Sequence, residues 1–243
     1  MSSAPQSRKT FRISDSLNRQ LNTYAQVASA AGVSVLALVG ASEAKIVYTQ
    51  TYQVTQRDLP VYIDVNHDGI KDFLVRSTGY QGSSGLEFGL DAAGYGNTNN
   101  RVAGRRYSRS GYFVSAASAL RAGAEIGPKG NFSVRFPSMA LELFPKGLAR
   151  QYSDEGPWAG AGKGVKERYL GLKFVVNGEV HYGWARLSVT LAHYRQFGDV
   201  TGTLTGYAFE TVPDRPITAG QITGPDVITV QPETLGGLAL GRK

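Results

Sequence analysis

Tyr169-Leu-Gly-Leu-Lys-Phe-Val-Val176, then Asn177-Gly178, then Glu179-Val-His-Tyr-Gly-Trp-Ala-Arg-Leu-Ser-Val-Thr-Leu191: two β-branched and aromatic runs are joined by a two-residue break. Asn and Gly both tolerate positive φ, which a two-residue hairpin turn demands. Val, Phe, Tyr and Trp suit a pleated, half-buried surface. The stretch predicts an antiparallel hairpin. Alternation along its second arm puts Tyr182, Trp184 and Arg186 on one face, and His181, Gly183, Ala185, Leu187 and Val189 on the other.

Working outward, strand texture recurs at Gly202–Phe209 and, upstream, at Ile46–Val54, Pro60–Ile63, Phe73–Val75 and Leu86–Leu90. Asn131–Phe136 alternates so that Phe132, Val134 and Phe136 share a face. The Gly-, Ser- and Asn-rich section 79–109 is expected to form surface loops around its one short strand, and the alanine-rich Ser115–Ala122 a short helix or turn. Thirty glycines and 13 tyrosines fit short strands joined by tight turns better than long helices. No βαβ crossover is visible. The fold class expected is all-β: a single-domain antiparallel β-sandwich of jelly-roll or lectin-like kind.

Residues 1–44 are set apart as an export signal. Arg8, Lys9, Arg12 and Arg19 give a basic opening, Ala28–Val39 a small-residue and apolar stretch, and Ser42-Glu43-Ala44 a cleavage site. The rival is a terminal helix over Ser14–Leu38. A membrane span is disfavoured because the apolar stretch falls short of the roughly 20 residues a bilayer requires. Residues 45–220 form the expected domain, and 221–243 a Pro/Gly-rich tail whose Thr234–Gly241 is too short to cross a membrane. The expected location is extracellular or in the cell envelope. With no cysteine, an exported chain must stabilise itself by packing, hydrogen bonds or a metal.

From residue 45 onward, 22 Lys/Arg face 17 Asp/Glu, and the basic residues are scattered. Nucleic-acid binding needs a focused basic surface and is not expected. GPWAGAGKG at 156–164 lacks the terminal Lys-Ser/Thr of a phosphate loop.

The tightest chemical constellation is Asp64-Val-Asn66-His-Asp68-Gly69-Ile70-Lys-Asp72. Calcium takes six to eight oxygen ligands from a loop that folds back on itself. Asp64, Asn66 and Asp68 alternate, Gly69 permits the bend, Ile70 offers a carbonyl, and Asp72 completes a set for a structural Ca2+. An EF-hand would need glutamate where Val75 stands, and helices where strands flank the loop. The competing reading is an Asx-rich turn with no ion.

Tyr182, Trp184 and Arg186 form a second candidate: an aromatic pair and a guanidinium that could stack on and hydrogen-bond a sugar. The alternative puts Trp184 in the core and makes His181 a packed histidine. For catalysis, Glu142, Asp154, Glu155, Glu167, Glu179 and Glu210 are available, but no spacing pairs them as glycosidases require. Three histidines and no Gly-x-Ser-x-Gly elbow leave a hydrolytic triad unsupported.

Tyr169–Phe174, His181-Tyr-Gly-Trp-Ala-Arg-Leu187, Leu204–Glu210 and Pro213-x-x-Pro-Ile-x-Ala-Gly220, with the Asp-x-Asn-x-Asp-Gly-x-x-Asp loop, resemble bacterial exported proteins that carry PEP-CTERM-type sorting tails. The resemblance covers roughly 45–75 and 165–220 and implies no catalytic residues. The expected function is an envelope or extracellular structural and interaction protein; the alternative is a carbohydrate-binding module or carbohydrate-active enzyme that uses the aromatic surface near Tyr182 and Trp184. Expected partners are envelope or extracellular proteins, further copies of the chain, or polysaccharide.

Overall fold

The computed structural model describes residues 45–230 apart from 58, 84, 98, 110–111, 133–135, 148–152, 195–196 and 225. The expected export signal, Val134 and the end of the tail lie outside the described residues.

The hairpin forms as the sequence predicts. β11 (Val165–Val176) and β12 (Glu179–Tyr194) pair antiparallel, with Val176 opposite Glu179 across a turn in which Asn177 has φ 51° and Gly178 φ 86°. β13 (Phe197–Glu210) returns along β12, and β1 (Ile46–Val54) lies antiparallel to β13. Short strands β5 (Arg101–Val102) and β15 (Val227–Val230) complete the sheet, in the order β15-β1-β13-β12-β11-β5. β15 runs parallel to β1, so part of the expected tail adds a strand.

The second sheet contains β2 (Val61–Ile63), β3 (Phe73–Gly82), β4 (Gly85–Gly94), β9 (Ser138–Pro145), β7 (Tyr112–Ala117) and β6 (Gly104–Arg109), with β10 (Ser153–Glu155) beside β9. Two sequence expectations are corrected here. Most of section 79–109 belongs to strands, because alternate residues such as Phe88, Leu90 and Ala92 are buried and their glycines leave room for neighbours. Ser115–Ala117 ends a strand in place of a helix. Of the Phe132–Phe136 face, Phe132 packs inward while Phe136 is exposed.

The two sheets bury one core between them. Leu170, Leu172, Phe174, Ala185, Leu187 and Phe209 come from the first sheet, and Ile63, Phe73, Val75, Leu90 and Met139 from the second. Burying a large apolar side chain stabilises by about 1.5–3 kcal/mol, so this core carries the fold without disulfides. The outer face of the first sheet carries a smaller core. There β8 (Glu125–Ile126) and β14 (Ile217–Thr218) pair and, with their flanking segments, cover Tyr48, Tyr169, Tyr182 and Trp184. The result is a predominantly antiparallel β fold. Among the described residues no helix is long and apolar enough to cross a membrane.

Candidate functional site

The acidic loop runs from the end of β2 to the start of β3, strands that pair from Val61–Val75 to Ile63–Phe73 and fix its two ends. His67 and Gly69 take positive φ of 59° and 87°, which reverses the chain. Inside the turn, Asp64 accepts the N–H groups of Asp68 (3.2 Å) and Gly69 (2.9 Å). Asp68 accepts the Ile70 N–H (2.8 Å) and the Asn66 amide (2.9 Å). Asp72 accepts the Val65 N–H at 2.8 Å.

The expected ligands Asp64, Asn66, Asp68 and Asp72 are therefore neighbours, and their donor atoms are the oxygens a hard cation prefers. Their placement is that of a self-bonded Asx turn: the carboxylates address backbone N–H groups. Among the described residues no group of three or more His, Cys, Asp or Glu side chains is arranged to hold a metal ion. The Ile70 side chain points to solvent, 62% exposed.

Asp72 is the costly member. It is buried, and its carboxyl is pushed up to about 7 by burial first, then by the like charges of Asp68 and Asp64, against the Val65 N–H and Asn100. Asn100 was not legible as part of this site. Fully buried, it donates to the carbonyls of Asp72 and Tyr95 (both 3.1 Å) and accepts the Val175 N–H (3.2 Å), tying the loop to β11. On the other side His67 docks on the first sheet. Its Nε2 and the buried Thr49 hydroxyl share a hydrogen bond of 2.7 Å, and its ring lies 5.8 Å from that of Tyr207. Burial holds the imidazole below its ordinary value, with Asp64 opposing and Lys71 assisting. Tyr207 is pushed up to about 12, mainly by burial. The loop thus bridges both sheets.

The second candidate is corrected at two of its three residues. Trp184 is 0% and Tyr182 3% exposed, so neither ring offers a ligand surface. Trp184 packs between Tyr48 (centroids 5.9 Å) and Tyr169 (5.2 Å, edge-on) under Ile126 and Ile217, and Tyr182 lies against Phe132. Gly183 lets β13 approach, since a Cβ there would lie 2.6 Å from the Ala208 carbonyl oxygen. His181 is the packed histidine of the alternative reading: Nδ1 meets the Glu210 carbonyl at 3.0 Å, with Phe174 and Phe209 alongside.

Arg186 is different. Past Trp184 the same face of β12 emerges from the cover, and Arg186, Ser188 and Thr190 follow at alternate positions, partly or fully exposed. Register places Thr203 beside Ser188 and Thr201 beside Thr190. Val54 of β1 pairs with Thr203 on the other side and is 40% exposed, and Tyr52, two residues earlier, is 76% exposed. Arg186 Nε donates to Thr205 Oγ1 at 2.8 Å, which brings Thr205 onto this face. On β12 and β13 this leaves a set of hydroxyls around one guanidinium, and Tyr52 is exposed on the adjoining β1 where the register shifts between Gln50 and Gln53.

Comparison with family models, curated proteins and solved structures yields no match. Function has to be read from the surface itself.

Of the carboxylates considered for acid/base work, the register of β9 and β10 does set Glu142 opposite Asp154. Glu142 is fully buried against Gly198, between the sheets and remote from any open groove on the Arg186 face. A shallow depression of about 240 Å3 lined by Arg105, Ala116, Ser118, Gly156 and Pro157 holds neither carboxylate nor histidine.

Proposed function

We propose that this chain is an exported, non-catalytic carbohydrate-binding β-sandwich domain, which binds glycan on the open half of the first sheet's outer face. The observation that carries the reading is Tyr52, 76% exposed on the strand that borders the Ser and Thr hydroxyls of β12 and β13. A sugar ring needs two kinds of contact: an aromatic face against its C–H groups, and hydrogen bonds to its hydroxyls. The face supplies both, on a surface held rigid by the core behind it. The PEP-CTERM-type resemblance agrees with a role at the cell exterior, where polysaccharide is the abundant neighbour.

The acidic loop serves this domain as a clamp between sheets. Calcium is the cation its oxygens suit, and Asp64, Asn66, Asp68, the Ile70 carbonyl and Asp72 would hold it by turning from the backbone N–H groups that the carboxylates address in this structure. Its chemistry would be charge neutralisation around Asp72, which adds stability by linkage and no reaction.

Affinity electrophoresis of the full chain through gels containing neutral and acidic plant and bacterial glycans tests the binding reading. Retardation by at least one glycan is expected, and Tyr52→Ala should weaken it about tenfold, or 1.4 kcal/mol. The variant should melt within a degree or two of the parent, because an exposed side chain contributes within about 0.5 kcal/mol. Free migration through every glycan would overturn the reading.

A further inference from the structure

We infer that the glycan taken by this face is acidic, a polysaccharide of uronate type, and that Arg186 reads its carboxylate. This rests on the carbohydrate reading of the face and adds its substrate class.

The argument begins with how Arg186 is held. Its Nε donates to the Thr205 hydroxyl at 2.8 Å, and one terminal nitrogen reaches the Thr205 carbonyl at 3.4 Å and the Tyr48 hydroxyl at 3.5 Å. All three acceptors are neutral. No carboxylate partners this guanidinium among the described residues. A partly buried cation normally acquires a counter-ion, since leaving water costs it solvation that neutral acceptors restore only in part. Arg186 is instead fixed on one side by uncharged groups, with its other terminal nitrogen left over. That nitrogen belongs to a planar fork whose geometry matches a carboxylate.

The setting selects the ligand further. Tyr52 lies on β1, two strand steps from β12, a separation of about 10 Å. A glycan crossing β13 could therefore meet Tyr52 and Arg186 with successive sugars. Lys166 is exposed on the adjoining strand β11. The face also has acidic members. Asp199, bonded to Thr201 (3.4 Å), lies at the opposite end of β13, and Glu167 touches Ser188 through its backbone N–H. Lys166 and Glu167 are exposed neighbours that offset one another, so Arg186 is the charge that distinguishes this part of the face.

The test uses the full chain and oligogalacturonides too short to gel, the same oligomers with their carboxylates methyl-esterified, and dextran oligomers. Calorimetry should find the free acid bound about tenfold or more tightly than the ester, the usual strength of one charge-assisted hydrogen-bonded contact. Arg186→Gln should erase that preference, bringing the acid's affinity down to that of the ester. Arg186→Lys, which keeps the charge without the fork, should retain part of it and keeps the test valid should the glutamine variant fold poorly. Lys146→Gln, exposed on the turn after β9 of the second sheet, should change nothing. Equal affinity for acid and ester in the parent overturns the acidic assignment while the carbohydrate reading stands. An acid preference that survives Arg186→Gln, or equal binding of short DNA, overturns it as well. Silence towards every oligomer removes both.

Discussion

Replacing Trp184 with alanine is expected to cost about 3–5 kcal/mol of folding stability, the range for emptying a buried aromatic site. The ring is fully buried between Tyr48 and Tyr169, under a cover built from β8 and β14. Tyr48 and Tyr169 stand on paired strands of the same sheet, which hold the walls of the void in place. Urea denaturation should show a lower midpoint with little change in slope. Trp184→Phe separates volume from polarity. The indole N–H has no hydrogen-bond partner among the described residues, so phenylalanine loses volume but no bond, at a cost on the order of 1–2 kcal/mol. A loss below about 1 kcal/mol for the alanine variant would mean that the cover does not pack on the ring, and would restore this part of the face as a ligand surface.

The same residue marks the limit of what the sequence made legible. Alternation at 181–191 correctly separates the two faces of β12, and Asn177-Gly178 correctly turns the hairpin. Alternation cannot say whether the second face meets water or a second layer. Here that depends on Ile126, Ile217 and Ala219, which come from irregular segments with no period of their own. Section 79–109 was misread for a related reason. Glycine and asparagine usually punctuate chains, yet β4 uses its glycines for close packing: a Cβ at Gly94 would lie 2.1 Å from the Asn100 carbonyl oxygen. The acidic loop was legible because its ligand-type residues are contiguous. Its anchors were not, because Thr49, Asn100 and Tyr207 join it through contacts far apart in sequence. The open half-face needed register across three strands before Val54, Thr203, Ser188 and Arg186 could be grouped.

In chelator, the contribution of Asp72 to stability should fall as pH rises from about 4 to about 7 and then level off, with His67 opposing it near the top of that window, and calcium should reverse much of that loss. The sign follows from Asp72, whose carboxyl goes from an ordinary 3.8 up to about 7 in the fold. Between those values the folded chain holds a proton that the unfolded chain has released, so each pH unit removes about 1.4 kcal/mol. Across the window this is a few kcal/mol, fully lost above pH 7 and fully recovered below the unfolded value. A calcium ion would take over the proton's work of neutralising Asp72 against Asp64 and Asp68. The calcium-induced rise in melting temperature should therefore be larger at pH 8 than at pH 5. Asp72→Asn should flatten the pH profile in chelator, since the amide keeps the acceptor for the Val65 N–H without the charge. Asp64→Ala or Asp68→Ala should abolish the calcium response and, by removing a like charge that raises Asp72, end the pH-dependent loss at a lower pH. Identical melting with calcium and chelator at pH 8 would reduce the loop to a self-bonded turn. A flat pH profile in chelator would show that the burial of Asp72 is relieved by solvent, and would remove the physical reason for a cation there.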